Sequence, residues 1–207
     1  MLNTEEFGGA YAANQIARRE NRVRRFIKSF YISNLLKHVD GPTVDLGCGA
    51  GQVLARLPSG SVGLEVNPHL VADLQKNGHR VIQAKASSDR LDLGGISNGE
   101  FRTLVLSHVL EHFSGAAQVL RLLLRDCAAR GIGTVILVVP GAVGFRSDAT
   151  HKTFISMEYL RQHGLESCEG FSITKHAYFP GNIQGIGNLF VYHEMIVVYR
   201  ASKNGPA

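Results

Sequence analysis

Residues 43–51 read TVDLGCGAG. Thr43 and Val44 open a short apolar run, Asp45 sits inside it, and Gly47, Gly49 and Gly51 follow at every second position. Glycines placed after a strand and before a helix let the backbone turn tightly and approach a ligand with no Cβ in the way. The start of the following helix, expected over GQVLARL, offers unpaired N–H groups to an anion. A dinucleotide fingerprint carries its third glycine one place later, where Gln52 stands. A carboxylate at the strand end also suits a ligand with a cationic group beside the loop better than a pyrophosphate. Twenty residues beyond Asp45, Glu65 closes SVGLEV, where an acid can accept hydrogen bonds from both hydroxyls of a ribose.

Outward from this loop the pattern alternates. SVGLEV reads as a strand, PHLVADLQKN as a helix closed by Gly78, and RVIQA as a third strand. FRTLVLS is a fourth strand, AAQVLRLLLRDCAAR a long helix closed by Gly131, and TVILVVP a fully buried strand. SMEYLRQH is a short helix ending at Gly164. FSITKHAYF and LFVYHEMIVVYR then read as two longer strands with only PGNIQGIGN between them, so the final pair is most simply antiparallel. Strand–helix alternation implies a doubly wound, mostly parallel α/β sheet with helices on both faces. Ahead of it, apolar residues at Ile16, Val23, Phe26, Ile27, Phe30, Tyr31, Leu35 and Leu36 have helical spacing and end near Gly41-Pro42. We therefore divide the chain into an N-terminal helical extension, 1–40, and one globular unit, 41–207.

The 207 residues are an ordinary globular mixture, 44% apolar and 19% charged, and the longest apolar run, Val135 to Val139, is far too short to span a bilayer. Cys48, Cys127 and Cys168 are odd in number and lack a CxxC spacing, which fits a reducing, cytoplasmic setting and neither a disulfide framework nor a zinc knuckle. The net charge of +5 is concentrated in ARRENRVRRFIK, 17–28. Such a run is a solvated helix face, or a contact for an anionic partner made by Arg18, Arg19, Arg22, Arg24 and Arg25.

VDLGCGAG and GLEVNP resemble the first and second motifs of the class I S-adenosylmethionine (SAM) methyltransferases. LVLSHVLEHF, 104–113, resembles the fourth, and VILVVPG the segment after the fifth strand. DATHKTFISMEYLRQHGL, 148–165, is similar to a D-x-x-H…S-x-x-x-L segment of bacterial members that act on small molecules and glycans. The resemblance runs from about Thr43 to the end of the chain. It implies a Rossmann-like seven-stranded sheet whose last strand is antiparallel. It also implies that Gly47, Gly49 and Gly51 line the methionyl end of SAM, that Asp45 faces its ammonium and that Glu65 holds its ribose. Ser107, at the end of the fourth strand, is a candidate wall residue facing the methyl donor. Two positions depart from the family: Lys85 stands where an acid near the adenine amine is usual, and Phe101-Arg102 replaces Phe-Asp. Adenine recognition then falls to backbone groups or to Asp89.

For the chemistry, His108, Glu111 and His112 stand at i, i+3 and i+4, on one face if a helix starts there. This segment resembles the E-x-x-E-H metal motif of ubiquinone-pathway and small-RNA O-methyltransferases, with His108 replacing the first glutamate and His151 as a candidate later ligand. Metal-free relatives also carry V-L-E-H, and a divalent ion at His108, Glu111, His112 and His151 is the less favoured reading. His151 acting alone as general base is preferred, its unperturbed pKa suiting neutral pH; a histidine that only holds the DATH turn is the competing reading, and His112 is a second catalytic candidate. Asp148 orients the His151 ring or caps a turn. The substrate lid is expected from the N-terminal helix and the loop 178–188.

The sequence thus reads as a SAM-dependent methyltransferase acting on a small-molecule or sugar-type acceptor, most simply at oxygen, with an anionic acceptor favoured by the basic run. An RNA methyltransferase is the alternative substrate class. It lacks support from an N/D-P-P-Y segment, a Pro-Cys nucleophile or a separate RNA-binding module. A SAM-binding subunit without catalysis is the alternative from another class, motivated by Lys85 and Arg102. An NAD-linked oxidoreductase is disfavoured by Gln52 and by the helix-free final strand pair.

Overall fold

The computed structural model of the chain describes residues 8–9, 12–13, 22–85, 87–180 and 193–202. Eight strands form one sheet in the order β3-β2-β1-β4-β5-β8-β7-β6. They are β1 (Thr43–Leu46), β2 (Val62–Glu65), β3 (Val81–Gln83), β4 (Thr103–Ser107), β5 (Thr134–Pro140), β6 (Ser167–Cys168), β7 (Phe171–Phe179) and β8 (Glu194–Ala201). The first five are parallel to one another. β8 enters antiparallel between β5 and β7, and β6 is antiparallel to β7. The expected count of seven becomes eight because two residues, Ser167 and Cys168, pair with Ser172 and Phe171 across a tight turn at Glu169-Gly170.

The order of neighbours reverses between β1 and β4, which leave in opposite directions along the sheet. The crevice beyond their carboxyl ends is where open α/β sheets take ligands. Every residue of β1, β2 and β5 is buried, so these strands read as continuous apolar runs rather than alternating ones. On one face, Leu104, Leu106, Val135, Leu137 and Val139 pack with Val119, Leu120, Leu123 and Leu124 of α3 (Ala116–Ala129). On the other, Val105, Ile136, Val138, Ile196 and Val198 pack with Tyr31, Ile32 and Leu35 of α1 (Arg22–Leu36). The N-terminal helix is therefore built into the core. The side chains of residues 22–28, with Arg22, Arg24 and Arg25 among them, and the whole of Arg18 and Arg19, lie outside the description, as does most of the loop expected to form a lid.

α2 (Pro68–Lys76) begins where Asn67 caps it, its side-chain oxygen accepting from His69 N–H (2.9 Å), with Pro68 pre-set for the first turn. α5 (Met157–Gln162) is capped by Ser156 in the same way. A five-residue helix, α4 (Ala142–Arg146), follows β5 where no helix was expected. Two expectations fail locally. GQVLARL does not form a helix but a single 3-10 turn, Leu54–Arg56, because only six residues separate Gly51 from Pro58 and one turn is all that fits. The segment from His108 to His112 is likewise a 3-10 turn over Leu110–His112 and not a helix.

Candidate active site

The glycine loop leaves β1 with Gly47, Gly49 and Gly51 all in the left-handed region, φ +72°, +54° and +77°. A Cβ on Gly47 would come within 2.4 Å of Val109 Cγ2, and one on Gly51 within 2.4 Å of Leu74 Cδ2. At Gly49 nothing lies within 4 Å of that position. Gly47 and Gly51 thus permit close packing, whereas Gly49 keeps open space beside the cleft. With no helix of useful length behind the loop, the expected donation of helix N-terminal amides is not built. The loop is instead braced by Glu65, whose carboxylate accepts Gly49 N–H (2.8 Å) and Asn67 N–H (2.9 Å). Burial pushes the Glu65 carboxyl upward in pKa against the pull of these N–H groups.

The cleft at the switch point is lined by Gly47, Gly49, Glu65, His108, Val109, His112 and Phe113 on its inner side. Lys85, Ser87, Arg90, Leu91 and Asp92 line its outer end. Lys85 is on the wall as its position suggested. Asp92 joins it, with Asp89 outside this set; Asp92 Oδ1 accepts Gly94 N–H (2.8 Å) in a turn that no periodicity announced. The structure offers Glu65 to a diol and Gly49 to a close-packed ligand, so these residues fit a bound SAM.

Asp45 lies behind the loop instead of on the cleft wall. It is 2% exposed and receives the Leu54 N–H, and among the described residues its Oδ2 has no hydrogen-bond partner. Desolvation raises its pKa to about 7, the Leu54 N–H opposing. Ser107, half-buried at the end of β4, has its hydroxyl bonded to the phenol of Tyr31, whose own ionisation is pushed well up by burial and then by Glu194. Sequence reading missed Tyr31 as a site neighbour because its spacing marked it only as core.

His108 stands at φ +56°, a conformation costly for a residue with a Cβ. That backbone turn aims the ring between two acids, Nδ1 at 3.3 Å from Glu111 Oε1 and Nε2 at 3.1 Å from Glu194 Oε1. Desolvation pulls its pKa down, but Glu194 and Glu111 together win and raise it to about 10. Glu111 is fully buried, and among the described residues neither of its carboxylate oxygens accepts a well-formed hydrogen bond. His151 lies on its other side, Nε2 3.8 Å from Glu111 Oε1, its Nδ1 held by Phe145 O at 2.9 Å and its ring stacked on Phe145. His112 contacts Thr150 O (3.3 Å) and Thr150 Oγ1 (3.1 Å) through Nδ1, and its ring centre is 4.9 Å from that of His151. Burial lowers the His112 pKa, with Glu111 opposing and His151 adding to the fall. Asp148 accepts from Thr150 N–H and Oγ1–H, so it orders the turn that carries His151 and does not bond the ring itself.

Of the four residues named for a metal, Glu111, His112 and His151 bring their ligand atoms within 4.8 Å of one another. His108 is drawn off to Glu194, a partner 86 positions away that no local motif reveals.

Residues 44–133 match the family model described as a methyltransferase domain. No curated protein matches the chain significantly. Among solved structures, the chain is similar to the methyltransferase in a complex with the Haloferax volcanii Trm112 methyltransferase activator, with 15% identity, 96% of this chain and 97% of that one covered, and a TM-score of 0.66. A SAM-dependent methyltransferase from Archaeoglobus fulgidus is 16% identical over 88% and 97% of the two chains, TM-score 0.63. The magnesium protoporphyrin IX methyltransferase ChlM of Synechocystis PCC 6803, with bound SAH, is 15% identical over 94% of each, TM-score 0.60. At such identities the likenesses speak for the fold. Among the described residues no helix is long and apolar enough to cross a membrane.

Proposed function

We propose that the chain, whose residues 44–133 match a methyltransferase-domain model and whose fold is shared with SAM-dependent methyltransferases, methylates a hydroxyl of a small-molecule or sugar-type acceptor with SAM as donor. When bound, SAM supplies a methyl group on a sulfonium that is already a good leaving group, so the chain's own residues have to hold, align and deprotonate the acceptor. Glu65 and the glycine loop would hold the donor. The carrying observation is His112, which lines the cleft and also belongs to the partly buried cluster with Glu111 and His151. A hydroxyl needs an acceptor for its proton and an amine less so, and this cluster sets imidazole nitrogen beside the donor. His151 then works within the cluster and not as an isolated base, since its Nδ1 is held by Phe145 O and its Nε2 faces Glu111.

Phe145 and the exposed Phe154, rings 5.4 Å apart, add an apolar rim beside His151 suited to a small acceptor. A relative of the same fold acts on magnesium protoporphyrin IX, a small molecule, which agrees with this reading. RNA is the second reading, favoured by the net charge of +5 and the basic run at 17–28. The test is S-adenosylhomocysteine (SAH) release from SAM over a panel of hydroxyl, amine and RNA acceptors. Turnover confined to hydroxyl compounds, and abolished in His112→Ala, is the expected result. Turnover on amines or RNA alone overturns the oxygen assignment, and SAM binding without turnover on any class leaves a non-catalytic subunit.

A further inference from the structure

We propose that Glu194 is a positioning residue for the cleft, acting through the ring of His108 on the turn against which the glycine loop packs. The inference rests on the reading of that cleft as the site of SAM. His108 lines the cleft and Glu194 does not. Glu194 is 4% exposed and opens β8, paired in register with Phe179 of β7 on one side and Pro140 of β5 on the other. The residues that follow it, Met195 to Val198, are buried and apolar. An acid at the head of such a strand costs stability by its burial, where an apolar side chain would add to it. Among the described residues, the hydrogen bond its carboxylate makes is to His108, Oε1 at 3.1 Å from Nε2.

That bond ties a strained turn to the sheet. The N–H of His108 donates to Val138 O (3.0 Å), continuing the pairing of β4 with β5, and the chain then leaves the sheet with His108 at φ +56°. Left-handed residues with a Cβ persist only where the surrounding structure over-determines them. Here the ring does so, with Nδ1 3.3 Å from Glu111 Oε1, Nε2 on Glu194, and Tyr31 of α1 meeting it edge-on at 6.3 Å between ring centres. The two acids are not equivalent. Glu111 lies three residues further along the same turn and moves with it, whereas Glu194 belongs to an interior strand paired on both sides.

The turn carries a wall of the cleft. Val109, the next residue, lines it, and lies so close to Gly47 that a Cβ there would come within 2.4 Å of Val109 Cγ2. Displacing the turn therefore displaces the surface on which the glycine loop rests. Without Glu194 the ring's hydrogen bonds come from its own turn alone, and the backbone is free to relax out of the left-handed region. No group that lines the cleft is removed by such a change; the wall itself moves.

The test is calorimetric titration of SAH into the full chain as wild type, Glu194→Leu, Glu194→Gln, His108→Asn and the double variant Glu194→Leu with His108→Asn. Thermal unfolding of each is followed without ligand. Asn tolerates the left-handed backbone and gives up the imidazole. Expected is a roughly 2- to 30-fold loss of SAH affinity in Glu194→Leu. Glu194→Gln, whose amide oxygen still accepts from the ring, restores it, and the double variant binds no more weakly than the weaker single one. An acid that only stabilises the fold would shift the unfolding temperature and leave SAH affinity at the wild-type value, which overturns the proposal. Losses that multiply in the double variant overturn it too, because Glu194 would then act by a route other than His108. If Glu194→Leu does not fold, His108→Asn decides, and wild-type affinity there overturns the proposal. A wild-type chain that binds no SAH strikes the donor reading itself, and this inference falls with it.

Discussion

Gly49 N–H donates to Glu65 Oε2 over 2.8 Å, tying the two ends of the nucleotide motif across 16 positions of sequence. The acid proposed to hold the donor's ribose is therefore also the clamp that holds the glycine loop in shape. On the proposed reading, donor affinity and loop order depend on one carboxylate.

Replacing Glu65 by Gln keeps its size and removes the charge. Charge-assisted hydrogen bonds contribute about 1.5–3 kcal/mol each, so SAH affinity is expected to fall roughly 10- to 150-fold, read by calorimetric titration. A Gln variant that binds as well as the wild type would mean that the ribose is held elsewhere.

Gly47→Ala and Gly49→Ala separate fold from site. Both carry the penalty of about 1–2 kcal/mol for a left-handed residue with a Cβ. At position 47 the added methyl also meets Val109 at 2.4 Å, whereas at 49 it enters open space. Thermal unfolding should drop further for Gly47→Ala, while Gly49→Ala keeps more stability and still loses SAH binding. Equal losses of stability would contradict the packing given for Gly47.

Asp45 makes stability pH-dependent with an unusual sign. Its folded pKa of about 7 lies above the ordinary 3.8, so the folded state holds a proton that the unfolded chain releases. That contribution is complete below about pH 3.8 and is lost as pH rises through about 7. Asp45→Asn should flatten the fall in urea midpoint over this window. A variant whose pH profile overlays the wild type would assign the slope to other groups.

Leu35, fully buried against the sheet, and Phe30, 49% exposed and stacked on Phe179 at 6.5 Å, belong to the same helix. Leu35→Ala should cost about 2–5 kcal/mol, while Phe30→Ala stays below about 1 kcal/mol. Denaturant unfolding of the two variants measures how firmly α1 belongs to the globular unit. A small loss at Leu35 would return the helix to the role of a detachable lid.

Short-range chemistry was legible in the chain. The run Thr43–Leu46, the alternate glycines, Gly78 after α2 and Gly131 after α3 each act on neighbours within a few residues. The sheet's parallel half and its antiparallel ending followed from them. What depended on length or on distant partners was not legible. Pro58 cuts the expected helix to one turn, a two-residue strand adds itself as β6, and His108 adopts φ +56° to reach Glu194. Glu194 looked like one acid in a strand, because nothing near it in sequence shows that a histidine 86 positions earlier needs it. Asp92 and Leu91 lie in a turn-rich stretch with neither helical nor strand periodicity, so only the folded cleft shows their place.

The position of β8 bears on how a nascent chain fares. This strand follows the rest of the sheet in sequence and yet occupies its interior, between β5 and β7. Until it arrives, β5 offers a bare ribbon of seven apolar-facing residues, Thr134 to Pro140, with its hydrogen-bonding edge open to any other chain. Glu194 is the first residue of that same strand, so His108 acquires its second acid at the moment the edge is sealed. A polypeptide interrupted before Glu194 would not be a smaller working enzyme. It would be a sticky template with a half-assembled site, removed by aggregation or proteolysis before it could consume cofactor.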